Sequence, residues 1–175
     1  MKTIVVYYSR KGSNKYLANR ISKDLSCDIE EIRPRMNVFL LFLMNIHIGI
    51  RSIKHNLKDY ERVILVGPIW VGRFIAPLKS FVIKYKNDIS KFLFITCCGS
   101  TFDKKDEKFG HGLVFKEVNK IMGNKCKHCE AFPIELVVPD SQKDDDSAFM
   151  NTHLSDSNFK GVILERYIKL LTSLN

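Results

Sequence analysis

The chain has 175 residues, of which 45% are hydrophobic and 27% are charged, the proportions of one globular domain with a sizeable core. Its 28 lysines and arginines outnumber its 19 acidic residues, and the net charge of +9 favours anionic ligands or partners. The basic residues are dispersed without a recognised nucleic-acid-binding module, and no apolar stretch reaches the ~20 residues of a membrane-spanning helix, so we expect no nucleic-acid partner and no transmembrane span.

The sequence also bears on domain organisation and compartment. Met1 leads directly into an apolar run without the basic, apolar and cleavable segments of a signal peptide. The five cysteines are an odd number in a chain that is large enough to fold without disulfides. We therefore expect residues 1–175 to form a single domain in the reducing cytoplasm.

Short apolar runs rich in β-branched residues alternate with segments whose apolar residues recur every three or four positions. They predict strands over residues 2–8, 28–33, 62–66, 91–96 and 132–138, and helices over residues 15–25, 74–85, 114–122 and 159–171. Near-continuous apolar strands separated by helices are typical of a parallel sheet with helices on both faces. The sequence thus predicts an α/β fold with a doubly wound, five-stranded parallel sheet, which binds ligands beyond the carboxyl ends of its strands. Residues 139–158 predict one long surface loop.

The first predicted strand ends in a turn made of Ser9, Arg10, Lys11, Gly12, Ser13 and Asn14. Gly12 lets the backbone approach a ligand, the serines offer hydroxyl groups, and Asn14 is the expected helix cap. A strand that enters a helix through such a turn aims free backbone N–H groups and the positive end of the helix dipole at one point. The turn therefore predicts an anion site, with phosphate favoured, although it has neither the Walker nor the three-glycine dinucleotide pattern.

Two later loops predict the rest of the site. The loop after the third strand carries the only tryptophan and reads Gly67, Pro68, Ile69, Trp70, Val71, Gly72 and Arg73. An aromatic and an aliphatic side chain at the carboxyl end of a strand are a platform for a flat ring. The fourth strand ends in a turn of small residues, namely Thr96, Cys97, Cys98, Gly99 and Ser100, whose backbone groups would contact the other edge of the ligand.

At these residues the chain resembles the flavodoxin family, whose first turn follows the pattern Ser/Thr-x-Thr-Gly-x-Thr and binds the phosphate of FMN. Ser9 and Gly12 keep the first hydroxyl and the glycine, whereas Lys11 and Asn14 replace two threonines. The stretch that begins at Gly67 is similar to the family's ring-contacting Gly-Thr-Pro-x-Trp-Ala-Gly loop, with one residue missing. The turn that begins at Thr96 is similar to the family's second isoalloxazine loop, with Phe102 or Phe109 as the substitute for its aromatic residue.

The resemblance implies the flavodoxin-like strand order 2-1-3-4-5 and a flavoprotein that binds FMN for electron transfer or flavin-dependent reduction. Such an oxidoreductase or carrier works with a redox partner protein or a small-molecule electron donor or acceptor. The implied cofactor-binding residues are Ser9, Arg10, Lys11, Gly12, Ser13, Asn14, Pro68, Ile69, Trp70, Val71, Gly72, Arg73, Thr96, Cys97, Cys98 and Gly99. No side chain is assigned as a catalytic acid or base, because the flavin itself carries the electrons.

The charge balance sets this chain apart from the family's short electron carriers, which are typically acidic. Cations at Arg10, Lys11 or Arg73 would stabilise a reduced, anionic flavin and raise its reduction potential. The alternative to a redox function is a flavodoxin-fold binding or interaction protein without redox turnover.

Two other classes of similar architecture lack their required residues here. A response-regulator receiver needs an acidic pair after the first strand, where this chain has Ser9, Arg10 and Lys11. A small phosphatase needs arginine six positions after its cysteine, and the residue six positions after Cys98 is Lys104.

Residues 36–53 form an unusually apolar stretch. One helical face would carry Phe39, Phe42, Leu43, Ile46, Ile50 and Ile53, and the other faces are apolar too. Such a helix is buried, contacts a second copy or a membrane surface, or covers the flavin. We favour deep packing or a homodimer contact through 36–53, and we expect His47 to be packed rather than catalytic.

Cys126 and Cys129 have the CxxC spacing, but zinc needs four ligands and no second pair stands at a matching distance. Redox CxxC pairs usually begin a helix, whereas this pair precedes the predicted fifth strand. We favour two structural thiols, with a redox disulfide as the alternative. The run Asp144, Asp145 and Asp146 is expected to face water rather than a metal ion.

Overall fold

The computed structural model describes residues 1–39, 42, 49–142 and 145–174. Its strands are β1 (Thr3–Tyr7), β2 (Asp28–Glu31), β3 (Arg62–Val66), β4 (Ile69–Trp70), β5 (Arg73–Phe74), β6 (Lys91–Cys98) and β7 (Cys126–Pro133). Five of these strands form one parallel sheet in the order β2-β1-β3-β6-β7, and β4 pairs with β5 in a small antiparallel hairpin. Numbered within the sheet, the order is 2-1-3-4-5, so the predicted topology is confirmed.

Helices cover both faces of the sheet. They are α1 (Ser13–Asp24), α2 (Ala76–Tyr85), α3 (His111–Met122), the short α4 (Asp146–Asn151) and α5 (Val162–Leu174). One apolar cluster joins α2 and α3 to the sheet, for example through Phe81 and Val118. A second cluster joins α1 and α5 to the opposite face, for example through Leu17 and Tyr167. The doubly wound arrangement predicted from the apolar strands is therefore present.

The fifth sheet strand lies earlier in the chain than predicted. The sequence predicts a strand over residues 132–138, but β7 runs from Cys126 to Pro133 and a 3-10 turn, Ile134–Leu136, follows it. Pro133 lacks an N–H group for a further ladder bond, which ends the strand. The first part of β7 is polar and therefore lacks the apolar run from which a buried strand is predicted. An edge strand such as β7 tolerates polar residues on its exposed side.

The predicted long loop over residues 139–158 contains helical structure. A 3-10 turn covers Asp140–Gln142, and α4 follows. The N–H of Ser147 donates to Asp145 Oδ1 at 2.8 Å, which is the side-chain contact of a helix cap. The prediction of a continuous loop is wrong over α4. The proposed water-facing carboxylates at 144 and 146 lie outside the described residues and side chains.

The apolar stretch over residues 36–53 falls only partly within the described residues. Val38 and Ile50 are buried, while Phe39 is about half exposed at 48%. Ile50 pairs with Pro34 in an isolated antiparallel bridge, so the predicted helical face does not extend to Ile50. His47 lies outside the described residues, and the homodimer contact stays a prediction. Within the described residues, no helix is both long and apolar enough to cross a membrane.

The C-terminal helix α5 is joined to α1 by a partly buried hydrogen bond. Tyr167 is 1% exposed, and its hydroxyl donates to Asp24 Oδ2 at 2.7 Å. The Asp24 carboxylate also lies 4.0 Å from the Arg20 guanidinium, so its charge is balanced. The hydroxyl therefore contributes to the packing of the first and last helices on the same face of the sheet.

We expect Tyr167→Phe to lower the free energy of unfolding by about 1 kcal/mol, the ordinary net value of one hydrogen bond. Urea unfolding of Tyr167→Phe, Asp24→Ala and the double variant measures it. The two changes should be non-additive by about the same amount, since they remove one interaction. Fully additive losses would show that the bond contributes nothing to stability.

Candidate functional site

Three loops meet at the carboxyl edge of the sheet, because β1, β3 and β6 are neighbours and run parallel. The first loop follows β1 and contains residues 8–12, the second is the β4–β5 hairpin after β3, and the third follows β6. The structure thus brings the three predicted site segments to one edge of the sheet, where open α/β sheets bind ligands.

The first loop closes on itself and opens into α1. The backbone N–H of Gly12 donates to Ser9 Oγ at 3.2 Å. Gly12 has φ +103° and ψ −35°, a conformation that favours glycine, and it precedes the first residue of α1 without a side-chain cap. The first-turn N–H groups of α1, which have no carbonyl partner inside the helix, are therefore left for a ligand or water.

Asn14 does not cap α1 as predicted. It is the second residue of the helix, it is only 5% exposed, and its side chain reaches across the sheet to the end of β6. Asn14 Nδ2 donates to the carbonyl of Cys97 at 3.0 Å, and the Cys97 N–H donates to Asn14 Oδ1 at 2.8 Å. One buried amide thus satisfies both backbone groups of one residue and fixes the first loop to the third.

The second loop is a tight hairpin rather than an open loop. Trp70 pairs with Arg73, and the two residues between them have positive φ, +50° at Val71 and +65° at Gly72. Positive φ at both central positions is the pattern of a type I′ turn. A Cβ on Gly72 would lie 2.5 Å from the carbonyl oxygen of Lys108, so only glycine allows the hairpin to approach the chain there.

Trp70 joins the first loop to the second. The guanidinium of Arg10 lies 5.5 Å from the centre of the Trp70 ring, within the range of a cation–π contact. The ring of Phe42 meets Trp70 edge-on at a centroid distance of 5.6 Å, and Arg73 lies 5.5 Å from the Phe42 ring. The predicted ring platform therefore has an aromatic neighbour from the 36–53 stretch, Phe42, and cationic neighbours from the first loop and from the hairpin itself.

The end of β6 that leads into the third loop is buried, whereas Gly99, the first residue of the loop, is exposed. Thr96, Cys97 and Cys98 are each less than 10% exposed. Burial raises the pKa of both thiols, that of Cys98 to about 12, so they act as small apolar groups. The Thr96 hydroxyl is buried and has no hydrogen-bond partner among the described residues, and a Cβ on Gly99 would meet only open space. A buried hydroxyl without a partner marks a place where a ligand atom can bind.

Other residues contribute to this edge without a signal in the sequence. Lys11 Nζ donates to the carbonyl of Met150 at 2.9 Å, and the N–H of Leu154 donates to Ser13 Oγ at 3.1 Å. α4 and the segment after it therefore lie against the first loop and the start of α1, within residues predicted to be a surface loop. These contacts join positions 139 and 141 residues apart, and contacts at such separations produce no periodic pattern in the sequence.

A histidine supports the chain beyond the third loop. His111 is 3% exposed, and its Nδ1 lies 3.0 Å from Ser100 Oγ. Burial lowers the pKa of His111, and the nearby positive charges of Lys105 and Arg166 add to the effect.

The two aromatic residues predicted as substitutes lie in different surroundings. The ring of Phe102 lies between the His111 ring, at a centroid distance of 5.7 Å, and the Arg166 guanidinium, at 4.3 Å. Phe109 is 56% exposed and lies beside Gly72. Of the two aromatics predicted as substitutes, Phe109 lies beside the hairpin.

No protein-family model matches the chain, and no curated protein sequence matches it. Solved structures do. A flavoprotein from Lactobacillus acidophilus in complex with FMN has a TM-score of 0.58 at 17% identity, over 74% of this chain and 92% of its own. Putative flavoproteins from Bacteroides eggerthii and Bacteroides uniformis have TM-scores of 0.57 and 0.53 at 18% and 16% identity. Each alignment covers 75% of this chain, together with 87% of the Bacteroides eggerthii protein and 90% of the Bacteroides uniformis protein. Together with the strand order, these neighbours show a flavodoxin-like fold.

We expect Asn14→Ala to lower the free energy of unfolding by about 2–3 kcal/mol, because it leaves the buried N–H and carbonyl of Cys97 without partners. Chemical unfolding measures the loss. Asn119→Ala is the matched control, since its exposed amide bonds one helical carbonyl, of Phe115, and its removal should change stability by less than about 0.5 kcal/mol. Equal losses in the two variants would show that Asn14 does not join the loops.

Proposed function

We propose that this chain binds FMN at the carboxyl edge of the sheet and acts in electron transfer or flavin-dependent reduction. The observation that carries the proposal is the connection of all three loops: Asn14 bonds Cys97, and Arg10 covers Trp70. A phosphate subsite and a ring subsite are thereby held in one arrangement, which a ligand with a charged end and a flat end requires.

The phosphate end fits the first loop. The uncapped first turn of α1 offers backbone N–H groups and the positive end of the helix dipole. Arg10 and Lys11 add positive charge, and residues 9–14 contain no carboxylate. In this proposal Ser9, Gly12, Ser13 and the helix N–H groups hold the phosphate, while the Asn14 side chain positions the loop without touching it.

The ring end fits the second and third loops. Ile69 and Trp70 are partly exposed and present an apolar surface after the buried Pro68, and Val71 and Gly72 turn the backbone back beside it. From the other side the Thr96 hydroxyl and the open space at Gly99 can accommodate the polar edge of a ring. The bound flavin would supply the electron chemistry, and the chain's residues would orient it and exclude water.

The neighbouring structures support this proposal at the level of fold. The Lactobacillus acidophilus flavoprotein was solved with FMN, and the same architecture is present here. The electron donor and acceptor are a redox partner protein or a small molecule, and no described side chain in the three loops is assigned as a proton donor or acceptor.

A second candidate function is a binding or interaction protein without redox turnover. One observation favours it: Phe42 and Arg10 already pack on Trp70, so the ring platform is partly covered by the chain's own residues. If this cover stays in place, flavin does not reach Trp70. The titration below separates the two functions.

We expect FMN to quench the fluorescence of Trp70, the only tryptophan, and to bind at least about tenfold more tightly than riboflavin, which lacks the phosphate. Gly12→Ala, which strains a residue at φ +103°, should weaken FMN binding roughly tenfold or more and change riboflavin binding little. Fluorescence titration of the purified protein with each flavin measures both affinities.

Gly123→Ala is the matched control, because Gly123 also has positive φ and open space but lies at the end of α3, away from the site. It should lose stability and keep its affinity for FMN. Equal affinities for FMN and riboflavin would contradict a phosphate subsite, and unchanged Trp70 fluorescence with both flavins would favour the function without redox turnover.

We expect Arg10→Gln to lower the reduction potential of the bound flavin by tens of millivolts, because a nearby cation stabilises the reduced, more negative cofactor. Redox titration of the FMN-loaded protein followed by visible absorbance measures it. Lys91→Gln is the control: it removes one charge at the amino end of β6 and should leave the potential unchanged. An equal shift in both variants would show that only net charge matters.

A further inference from the structure

A β-bulge places the two cysteines of the CxxC segment on one face of β7. Phe92 of β6 pairs with Cys126, Leu93 pairs with His128, and Phe94 pairs with Cys129, so Lys127 is the extra residue. In a regular strand, residues three apart point to opposite faces. Here the bulge makes Cys126 and Cys129 neighbours on the same face, both packed against the apolar cluster that contains Phe92 and Phe94.

The two sulfur atoms are already in contact. Cys126 Sγ lies 3.7 Å from Cys129 Sγ, and neither cysteine is in a disulfide. Both residues are partly exposed, whereas Cys97 and Cys98 are buried. A disulfide then requires the two sulfur atoms to approach from 3.7 Å to a bonded distance of about 2.05 Å.

The surroundings distinguish the two thiols. The hydrogen bond with Cys129, together with the charges of His128 and Lys127, lowers the pKa of the Cys126 thiol. The same hydrogen bond, with burial, raises the pKa of Cys129. His128 Nε2 lies 2.8 Å from a carboxylate oxygen of Glu130, a contact that raises the pKa of the imidazole and favours its positive charge beside the pair. These opposite pKa shifts favour Cys126 as the attacking thiol and Cys129 as the resolving thiol.

We propose that Cys126 and Cys129 form a reversible dithiol–disulfide site that exchanges with low-molecular-weight disulfides. The Cys126 thiolate attacks one sulfur of the disulfide RSSR, its S–S bond breaks, and RS⁻ leaves with the electron pair. Cys129 then gives its proton to RS⁻ or to water, and its thiolate attacks Cys126 Sγ of the mixed disulfide. The second RS⁻ leaves. In total two protein thiols are oxidised and one RSSR is reduced to two RSH.

The thiol pair is separate from the candidate flavin site. Cys126 begins β7, whereas the three loops lie at the carboxyl edge, and seven residues of strand span roughly 23 Å. Exchange at the pair thus needs no bound flavin, and its test does not depend on the proposed function.

The experiment uses the purified full-length chain, equilibrated with reduced and oxidised glutathione at a series of ratios and then alkylated. We expect oxidising ratios to protect two thiols from alkylation, so that the intact mass carries two fewer alkyl groups, and reducing ratios to restore both. Because Lys127 separates the cysteines, trypsin cleaves between them, and the disulfide appears as two linked peptides in a non-reducing digest. We also expect Cys126 to be alkylated at least about tenfold faster than Cys27, whose pKa is raised by burial.

Two variants complete the test. Cys126→Ser should abolish the linked peptides, and Cys129→Ser should stop at a mixed disulfide between Cys126 and glutathione. Cys27→Ser is the matched control and should form the disulfide as the wild type does. Two results with the wild-type protein would overturn the proposal: all thiols stay reduced at every ratio, or glutathione is attached and the internal disulfide does not form. Neither result depends on whether a variant folds.

Discussion

The geometry of the sheet's carboxyl edge depends on one asparagine side chain. Asn14 lies in the first turn of α1 and Cys97 near the end of β6, and β3 separates the strands that lead to them. The Asn14 amide bonds both backbone groups of Cys97 in a buried setting, where water does not compete. A movement of the first loop is therefore transmitted to the third, and the two loops form one rim above β3.

The hairpin completes this rim through a different kind of contact. Its position follows from the parallel pairing of β3 with β1 and β6, and its tight turn follows from the positive φ of Val71 and Gly72. Arg10 then connects the hairpin to the first loop through the face of Trp70. A phosphorylated flat ligand requires charge on one side and an aromatic surface on the other, and the strand order brings the residues that carry both features to one edge of the sheet.

The sequence was most informative where burial was complete. β1 and β3 lie inside the sheet and are buried at every residue, so their apolar runs predicted their positions within a residue or two. β7 is an edge strand whose first five residues are only partly buried or exposed, and the apolar run after Pro133 shifted the prediction too far along the chain. The three loops could be predicted because glycine and proline after an apolar run indicate a turn, and a tryptophan in such a turn indicates a surface for a flat ring.

The connections between those loops could not be read from the sequence. An asparagine at the start of a helix is typical of a cap, and nothing local indicates that the Asn14 side chain bonds Cys97 instead. The contacts of Lys11 with Met150 and of Ser13 with Leu154 join distant parts of the chain. The pairing of Cys126 with Cys129 depends on a bulge, whose position is set by the register of the neighbouring strand.

The central claim is that three loops bind one flavin together, and amide NMR spectroscopy tests it most directly. In a titration of the labelled protein with FMN, the account predicts that the amide signals of Ser13, Gly72 and Gly99 shift along one common binding curve. The amide of Gly123, at the opposite edge, should not move. Shifts confined to one loop, or separate binding curves for the three loops, would contradict the account.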